Sequence, residues 1–256
     1  MLERILEAKR RELDERKKKE PLSRLKNRLE AAPRPRDFKG SLKGNGIQLI
    51  GEIKKISPSQ GLLRKAFDPV ALAKTYEKSG AACLSVLTDE PFFGGHLSYL
   101  ASVKAAVELP VLRKDFILEE YQIYESAVAS ADAVLLICAI LSEKEMAHLM
   151  QLAATYQLAS LVEVHSEEDL EKALSLGADM IGINNRDLRT FKLDLQTSER
   201  LVKRIPKGKM VVSESGIHSH EEVERLERLG VHAVLIGQTF MQRPDLENAI
   251  HEVMGK

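Results

Sequence analysis

AVLLICAILSEKEMAHLMQLAATYQLASLVEVHSEEDLEKALSLGADMIGI, residues 133–183, holds the pattern that decides the fold. Three apolar runs stand in it, Ala133–Cys138, Ser160–Val164 and Met180–Ile183, each of strand length. Between them lie stretches rich in Glu, Lys and Ala with helical spacing, each opened by a serine, Ser142 or Ser166, suited to cap a helix. Strands apolar on both faces and separated by helices belong to a buried parallel sheet. The same unit recurs on both sides. Upstream are the runs Leu49–Ile53, Ala82–Leu87 and Val111–Arg113, and downstream Met210–Val212 and Ala233–Ile236. Further helices are expected to begin near Asp68, His96, Leu118, Thr197, His218 and Pro244. Eight alternating units predict an α/β fold closed into a (β/α)8 TIM barrel. An open doubly wound sheet fits less well, because no G-x-G-x-x-G follows the first strand and polar residues follow nearly every strand.

Residues 1–47 read as an N-terminal helical extension to a catalytic barrel domain spanning 48–256. Leu2–Lys19 sets Ile5, Leu6 and Leu13 among many charges, as in a surface helix with a narrow apolar stripe, and its basic run Arg16–Lys19 reads as solvated. A short helix is expected over Leu22–Leu29, then a stiff connection through Pro33-Arg34-Pro35-Arg36. Lys plus Arg equal Asp plus Glu at 38 each, which removes the broad basic field of a nucleic-acid or anionic-membrane binder. No apolar run reaches membrane-spanning length, and the charged start does not resemble a signal peptide. Cys83 and Cys138 lie in apolar runs without metal-ligand spacing and read as buried thiols in a cytoplasmic protein. A monomer acting on a small molecule, with no metal and no cofactor, is expected.

Candidate chemistry collects at the strand ends, where barrel enzymes place their sites. Glu52 and Lys54 are two apart, so strand alternation turns both into the lumen, either as a structural ion pair or as part of a site. Lys114 ends the third run; two lysines in one cavity should lower one pKa. Glu163 is flanked by apolar residues, and a carboxylate there is costly unless paired. Asn184, Asn185 and Arg186 suit a polar ligand, although Asn185 serves equally for turn formation. Ser213-Glu214-Ser215-Gly216-Ile217 and Ile236-Gly237-Gln238 bring small residues to the last two strand ends, as in the phosphate cradle of this barrel class. Phe92, Phe93 and Phe116 could wall an aromatic ring.

Taken in order, Glu52-Ile53-Lys54-Lys55 with Ser57-Pro58-Ser59, Leu84 to Asp89, Leu112-Arg113-Lys114-Asp115-Phe116, Glu163-Val164-His165, Gly182 to Arg186 and Ser213 to Ile217 resemble the indole-3-glycerol phosphate synthase family along nearly the whole chain. The resemblance implies ring closure of 1-(2-carboxyphenylamino)-1-deoxyribulose 5-phosphate with loss of carbon dioxide and water, in tryptophan biosynthesis. It implies that Lys114 is the general acid, that Glu163 and Glu52 move protons, and that Lys54 meets the substrate carboxylate or Glu52. Asn184, Arg186 and Ser215 would orient the substrate, and Ser57, Gly216, Gly237 and Gln238 would lie about the phosphate, with Phe93 and Phe116 against the ring. Gln238 departs from the family's usual acidic residue, and His96 from its usual serine.

Three other readings compete. A phosphoribosylanthranilate isomerase barrel would want a catalytic Cys at the first strand, where Glu52 and Lys54 stand. A Schiff-base aldolase would use Lys114 as nucleophile. A binding-only barrel would have no need of the four charged groups, and Leu2–Lys19 could alternatively dock another protein.

Overall fold

The computed structural model describes residues 1–187 and 192–255. In chain order its elements are α1 (Leu2–Lys19), α2 (Leu22–Arg28), α3 (Phe38–Ser41), β1 (Gln48–Ile53), β2 (Ile56–Ser57), β3 (Gly61–Leu62), α4 (Pro69–Lys78), β4 (Cys83–Leu87), α5 (Glu90–Phe93), α6 (Ser98–Ala106) and β5 (Val111–Lys114). There follow α7 (Glu120–Val128), β6 (Ala133–Ile137), α8 (Glu143–Thr155), β7 (Ala159–Val164), α9 (Glu167–Ser175), β8 (Met180–Asn184), α10 (Gln196–Val202), β9 (Met210–Glu214), α11 (His220–Arg228), β10 (Ala233–Ile236), α12 (Gln238–Met241) and α13 (Leu246–Met254). Eight parallel strands close in the order β1-β10-β9-β8-β7-β6-β5-β4, which is the TIM barrel the alternating pattern predicts. The β2–β3 hairpin sits in the loop after β1 and was not expected. No described helix is long and apolar enough to cross a membrane.

Strand alternation sorts the apolar residues into two layers of core. Ile50, Cys83, Leu112, Leu135, Leu161, Met180, Val212 and Leu235 face inward and fill the lumen. Leu49, Val86, Val134, Val162, Ile181, Val211 and Val234 face outward under the helices. Full burial of each such side chain stabilises by about 1.5–3 kcal/mol, so neither face tolerates a register slip. The helices start where the capping residues stand. Asp68 accepts from the backbone of Val70 and Ala71, Ser142 and Ser219 form reciprocal capping boxes with Glu145 and Glu222, and Ser166 and Asp245 cap α9 and α13.

The extension touches both ends of the barrel. At the mouth, the C-terminal end of the strands, Lys9 of α1 is fully buried and ion-paired to Asp89 at 3.0 Å and Asp115 at 2.9 Å, the residues that follow β4 and β5. At the opposite end Phe38 and Leu42 are buried in the lumen cluster, beside the first inward residues of the strands. The Pro33–Arg36 connection is held as it passes: Arg36 donates to the carbonyls of Lys104, Val107 and Leu109. The basic run of α1 departs from the expectation of a solvated tail. Arg16 pairs with Glu125 of α7 at 3.1 Å and Lys17 with Glu119 at 2.5 Å, where the second half of α1 meets α7 through Leu13, Tyr121 and Tyr124; Lys18 and Lys19 do remain exposed.

Candidate active site

Inward-facing positions at the strand C-termini carry the charged groups. Glu52 of β1, Lys114 of β5, Glu163 of β7, Asn184 of β8 and Glu214 of β9 share the lumen face, and Lys54 extends that face beyond β1. Registers bring them level: Glu52 pairs with Ser85, Ile137 with Glu163, Glu163 with Gly182, and Asn184 with Glu214. The Lys114 ammonium lies 3.2 Å from Glu163 and closer still to Glu214, while Lys54 pairs with Glu52. Glu163 therefore meets the pairing that its cost in an apolar strand demands.

Two glycines make room for two of these carboxylates. A Cβ on Gly182 would stand 2.2 Å from Oε1 of Glu214, and one on Gly237 would stand 2.1 Å from Oε2 of Glu52. No ordinary non-bonded contact is that short, so a side chain at either position would displace the carboxylate beside it.

The electrostatics run against one expectation. Two lysines in one cavity were expected to lower one pKa; for Lys114 burial, which acts in that direction, is outweighed by Glu214, Glu163 and Glu52, and the ammonium is held well above its ordinary range. For Glu163, burial is opposed by Lys114, His165 and Asn184, which hold the carboxyl below its usual value. For Glu214, burial and the fields of Glu163 and Glu52 outweigh Lys114 and push the carboxyl up. Its Oε1 is buried without a hydrogen-bond partner among the described residues.

Thirteen of the residues singled out from the sequence line one cavity at the barrel mouth: Lys114, Glu163, Glu52, Lys54, Asn184, Ser57, Phe93, Phe116, Arg186, Ser215, Gly216, Gly237 and Gln238. Leu2 and Ile5 of α1 close part of it. Phe93 and Phe116 stand with ring centroids 6.1 Å apart on one side. Across from them, Ser215 and Gly216 both take left-handed conformations (φ 68° and 75°), turning the chain sharply at the end of β9 beside Gly237 and Gln238. Arg186 donates to the Gln238 amide oxygen at 3.1 Å and to Ser59 at 3.3 Å, so the uncommon Gln238 acts as an acceptor toward that guanidinium.

Some residues fall elsewhere. Asn185 is a buried clip: its amide donates to Ser213, to the carbonyls of Glu214 and Ser215, and accepts from Ser198. Phe92 packs in the lumen cluster and is not among the described cavity-lining residues. Sequence reasoning missed Glu214 as a site residue, although Met210 and Val212 face inward and the same parity carries Glu214 into the lumen. It also missed His218 and Thr239, which line the cavity and share a 2.9 Å hydrogen bond; nothing in their own spacing marks them.

A closed β/α barrel with a buried acid–base cluster at the strand C-termini and a glycine-bearing pair of loops opposite defines an acid–base enzyme of the (β/α)8 class. The family model for indole-3-glycerol phosphate synthase matches residues 2–253. An indole-3-glycerol phosphate synthase from Caldanaerobacter subterraneus is 52% identical over 242 residues, covering 94% of this chain and 93% of the relative. Others so named are 49% identical from Acetivibrio thermocellus, over 86% of this chain and 85% of the relative, and 44% identical from Roseiflexus castenholzii, over 100% and 98%. Thiamine phosphate pyrophosphorylase from Pyrococcus furiosus superposes with a TM-score of 0.60 over 82% of this chain and 94% of that one; at 16% identity this is a likeness of fold. The chain belongs to the indole-3-glycerol phosphate synthase family, carboxy-lyases of tryptophan biosynthesis.

Proposed function

We propose that this chain closes the indole ring of 1-(2-carboxyphenylamino)-1-deoxyribulose 5-phosphate, releasing carbon dioxide and water and leaving indole-3-glycerol phosphate. The observation that carries the reading is the Lys114 ammonium held between Glu163 and Glu214 on the lumen face of the cavity. Forming the ring requires a proton donor at the ribulose carbonyl oxygen while an aryl carbon attacks the carbonyl carbon. A lysine kept charged by three carboxylates meets that need. The same charge disfavours the Schiff-base reading, which needs a neutral amine.

Lys54, tied to Glu52 beside the cavity, offers the cation that orients the substrate carboxylate before it leaves as carbon dioxide. Dehydration then needs one proton delivered to the departing hydroxyl and one removed from the new five-membered ring. Glu214, its carboxyl pushed up, suits delivery, and Glu163, its carboxyl held down, suits removal. Glu52 stays a carrier in reserve beside Lys54. Phe93 and Phe116 flank the anthranilate ring, while Asn184, Arg186 and Ser215 orient its polar edges and the hydroxyls. The phosphate is placed at Ser57, Gly216, Gly237 and Gln238, where the chain turns tightly enough for backbone N–H groups to approach. The reading extends to a monomeric, cytoplasmic catalyst that needs no metal or organic cofactor.

Incubation with the carboxyphenylamino-deoxyribulose phosphate, followed by indole fluorescence, tests the activity. Lys114→Ala should lower turnover by about 100- to 10,000-fold, the usual contribution of a general acid, with the circular dichroism spectrum unchanged. Near-full turnover by that variant would remove Lys114 from the mechanism.

A further inference from the structure

His165 follows β7 directly and is largely buried, yet it is not among the described residues lining the cavity. Its Nε2 lies 3.2 Å from Oε1 of Glu163, and its Nδ1 3.8 Å from Asp169 in the first turn of α9. Glu163 is thus gripped on both oxygens, by the imidazole from behind and by Lys114 at Oε2 from within the lumen. Both contacts are those of an ion pair, the one to Glu163 the shorter. Asp169 is fixed in turn: it accepts the His165 backbone N–H at 3.0 Å, and its own N–H is capped by Ser166.

Among the described residues Glu214 has no such second cation. It shares Lys114 with Glu163, and its Oε1 faces the bare Cα of Gly182. Two carboxylates beside one ammonium cannot both be ionised without cost, so one proton is shared between them. We propose that His165, acting through Glu163, decides which of the two carboxylates beside Lys114 is the base, holding Glu163 ionised and leaving the shared proton on Glu214. His165 is a positioning residue in this scheme, since it touches neither substrate nor reacting atoms.

The other charges facing the group leave the bias in place. Glu52 from β1 repels Glu214 and is itself paired to Lys54, and Asn184 from β8 helps to hold the Glu163 carboxyl down. Behind His165, Asp169 feels Lys172 of α9, whose ammonium is bound to the carbonyls of Cys138 and Leu141. Burial would lower the pKa of His165, but Asp169 and Glu163 together lift it to about 9, which keeps the imidazolium charged across neutral pH.

The assignment of base and acid to ring closure rests on the function proposed above, but the charge bias itself does not, and two readouts separate them. In ligand-free protein, isotope-edited infrared titration of glutamate side chains should show His165→Gln raising the Glu163 carboxyl by about one to three pH units, the usual effect of an opposite charge at this range. Asp169→Asn, a milder change at a half-buried residue, should move it the same way by less. In turnover, the acid limb of the kcat/KM profile of His165→Gln should shift upward by a similar amount, with the rate recovering at higher pH. A variant whose rate falls equally at every pH, or whose Glu163 titration matches the parent, overturns the proposal. If the parent shows no ring closure, the functional reading fails and the infrared titration still decides the role of His165.

Discussion

Replacing Lys9 by methionine tests how firmly α1 is built into the barrel. The ammonium sits 3.0 Å from Asp89, 2.9 Å from Asp115 and 2.7 Å from Glu12, and is itself 1% exposed. Asp115 keeps Arg113 at 3.0 Å when Lys9 is lost, whereas among the described residues Lys9 is the one cation within ion-pair reach of Asp89. The variant therefore leaves a fully buried carboxylate without its counter-charge, at a cost of about 3–5 kcal/mol. An unfolding entropy near ~2.1 cal/mol/K per residue gives a chain of this length about 0.5 kcal/mol per degree, so Tm should fall by about 6 to 10 °C. Adding Asp89→Asn to Lys9→Met removes the orphaned charge and should return part of that loss. Sign and pH window follow from the two shifts. Burial opposes the charge on Lys9, but Asp115, Asp89 and Glu12 raise its pKa from 10.5 to about 12. Its contribution is full below the unfolded value and is lost as pH rises through about 12. Asp115 is depressed by Lys9 and Arg113 against its burial, so its contribution is present above the ordinary carboxylate range and is lost as pH falls below it. The lock should hold unchanged across neutral pH. Thermal denaturation followed by circular dichroism measures both variants against the parent; a Lys9→Met protein within about 1 °C of the parent, or a double variant no better than the single one, would refute the reasoning.

Gly182→Ala should lower kcat by about 100-fold or more while KM changes less, because the added methyl displaces Glu214 and not the substrate, whereas Gly237→Ala, which displaces Glu52 beside the proposed phosphate position, should lower kcat and raise KM together; steady-state kinetics would show the split. Cys83 and Cys138 are both buried, with burial pushing the Cys138 thiol up to about 12 and that of Cys83 higher still. Neither should react with a thiol reagent in native protein at neutral pH, and both should react at once in denaturant; rapid labelling of the folded chain would contradict that.

How much of this was legible depended on how local the cause is. Eight strands and their helices were read within a residue or two because barrel strands, apolar on both faces, leave an unmistakable mark, and because Ser142, Ser166 and Asp68 announce the helices they cap. Glu52 and Lys54 were placed in the lumen by parity alone, and the parity of Met210 and Val212 would have added Glu214. What stayed hidden depends on partners far apart in sequence. Lys9 looks like any surface lysine until Asp89 and Asp115 are brought to it, and Arg16 looks solvated until α7 supplies Glu125. The direction of the Lys114 shift was not legible because a list of residues shows two lysines, while the lumen surrounds one of them with three carboxylates. Asn185 was undecided between ligand and turn, and the structure uses it to clip β9 and α10 together.

The segment before β1 supplies both a roof and a floor. Leu2 and Ile5 close over the cavity, and some thirty residues later Phe38 and Leu42 seal the lumen from below. Shortening the chain from its start would thus be two different experiments: a cut just past α1 uncovers the mouth and strands the buried Asp89, whereas a cut past α3 also admits water beneath the strands. A swap of roofs between related barrels would carry its floor along only if the graft ran through Leu42.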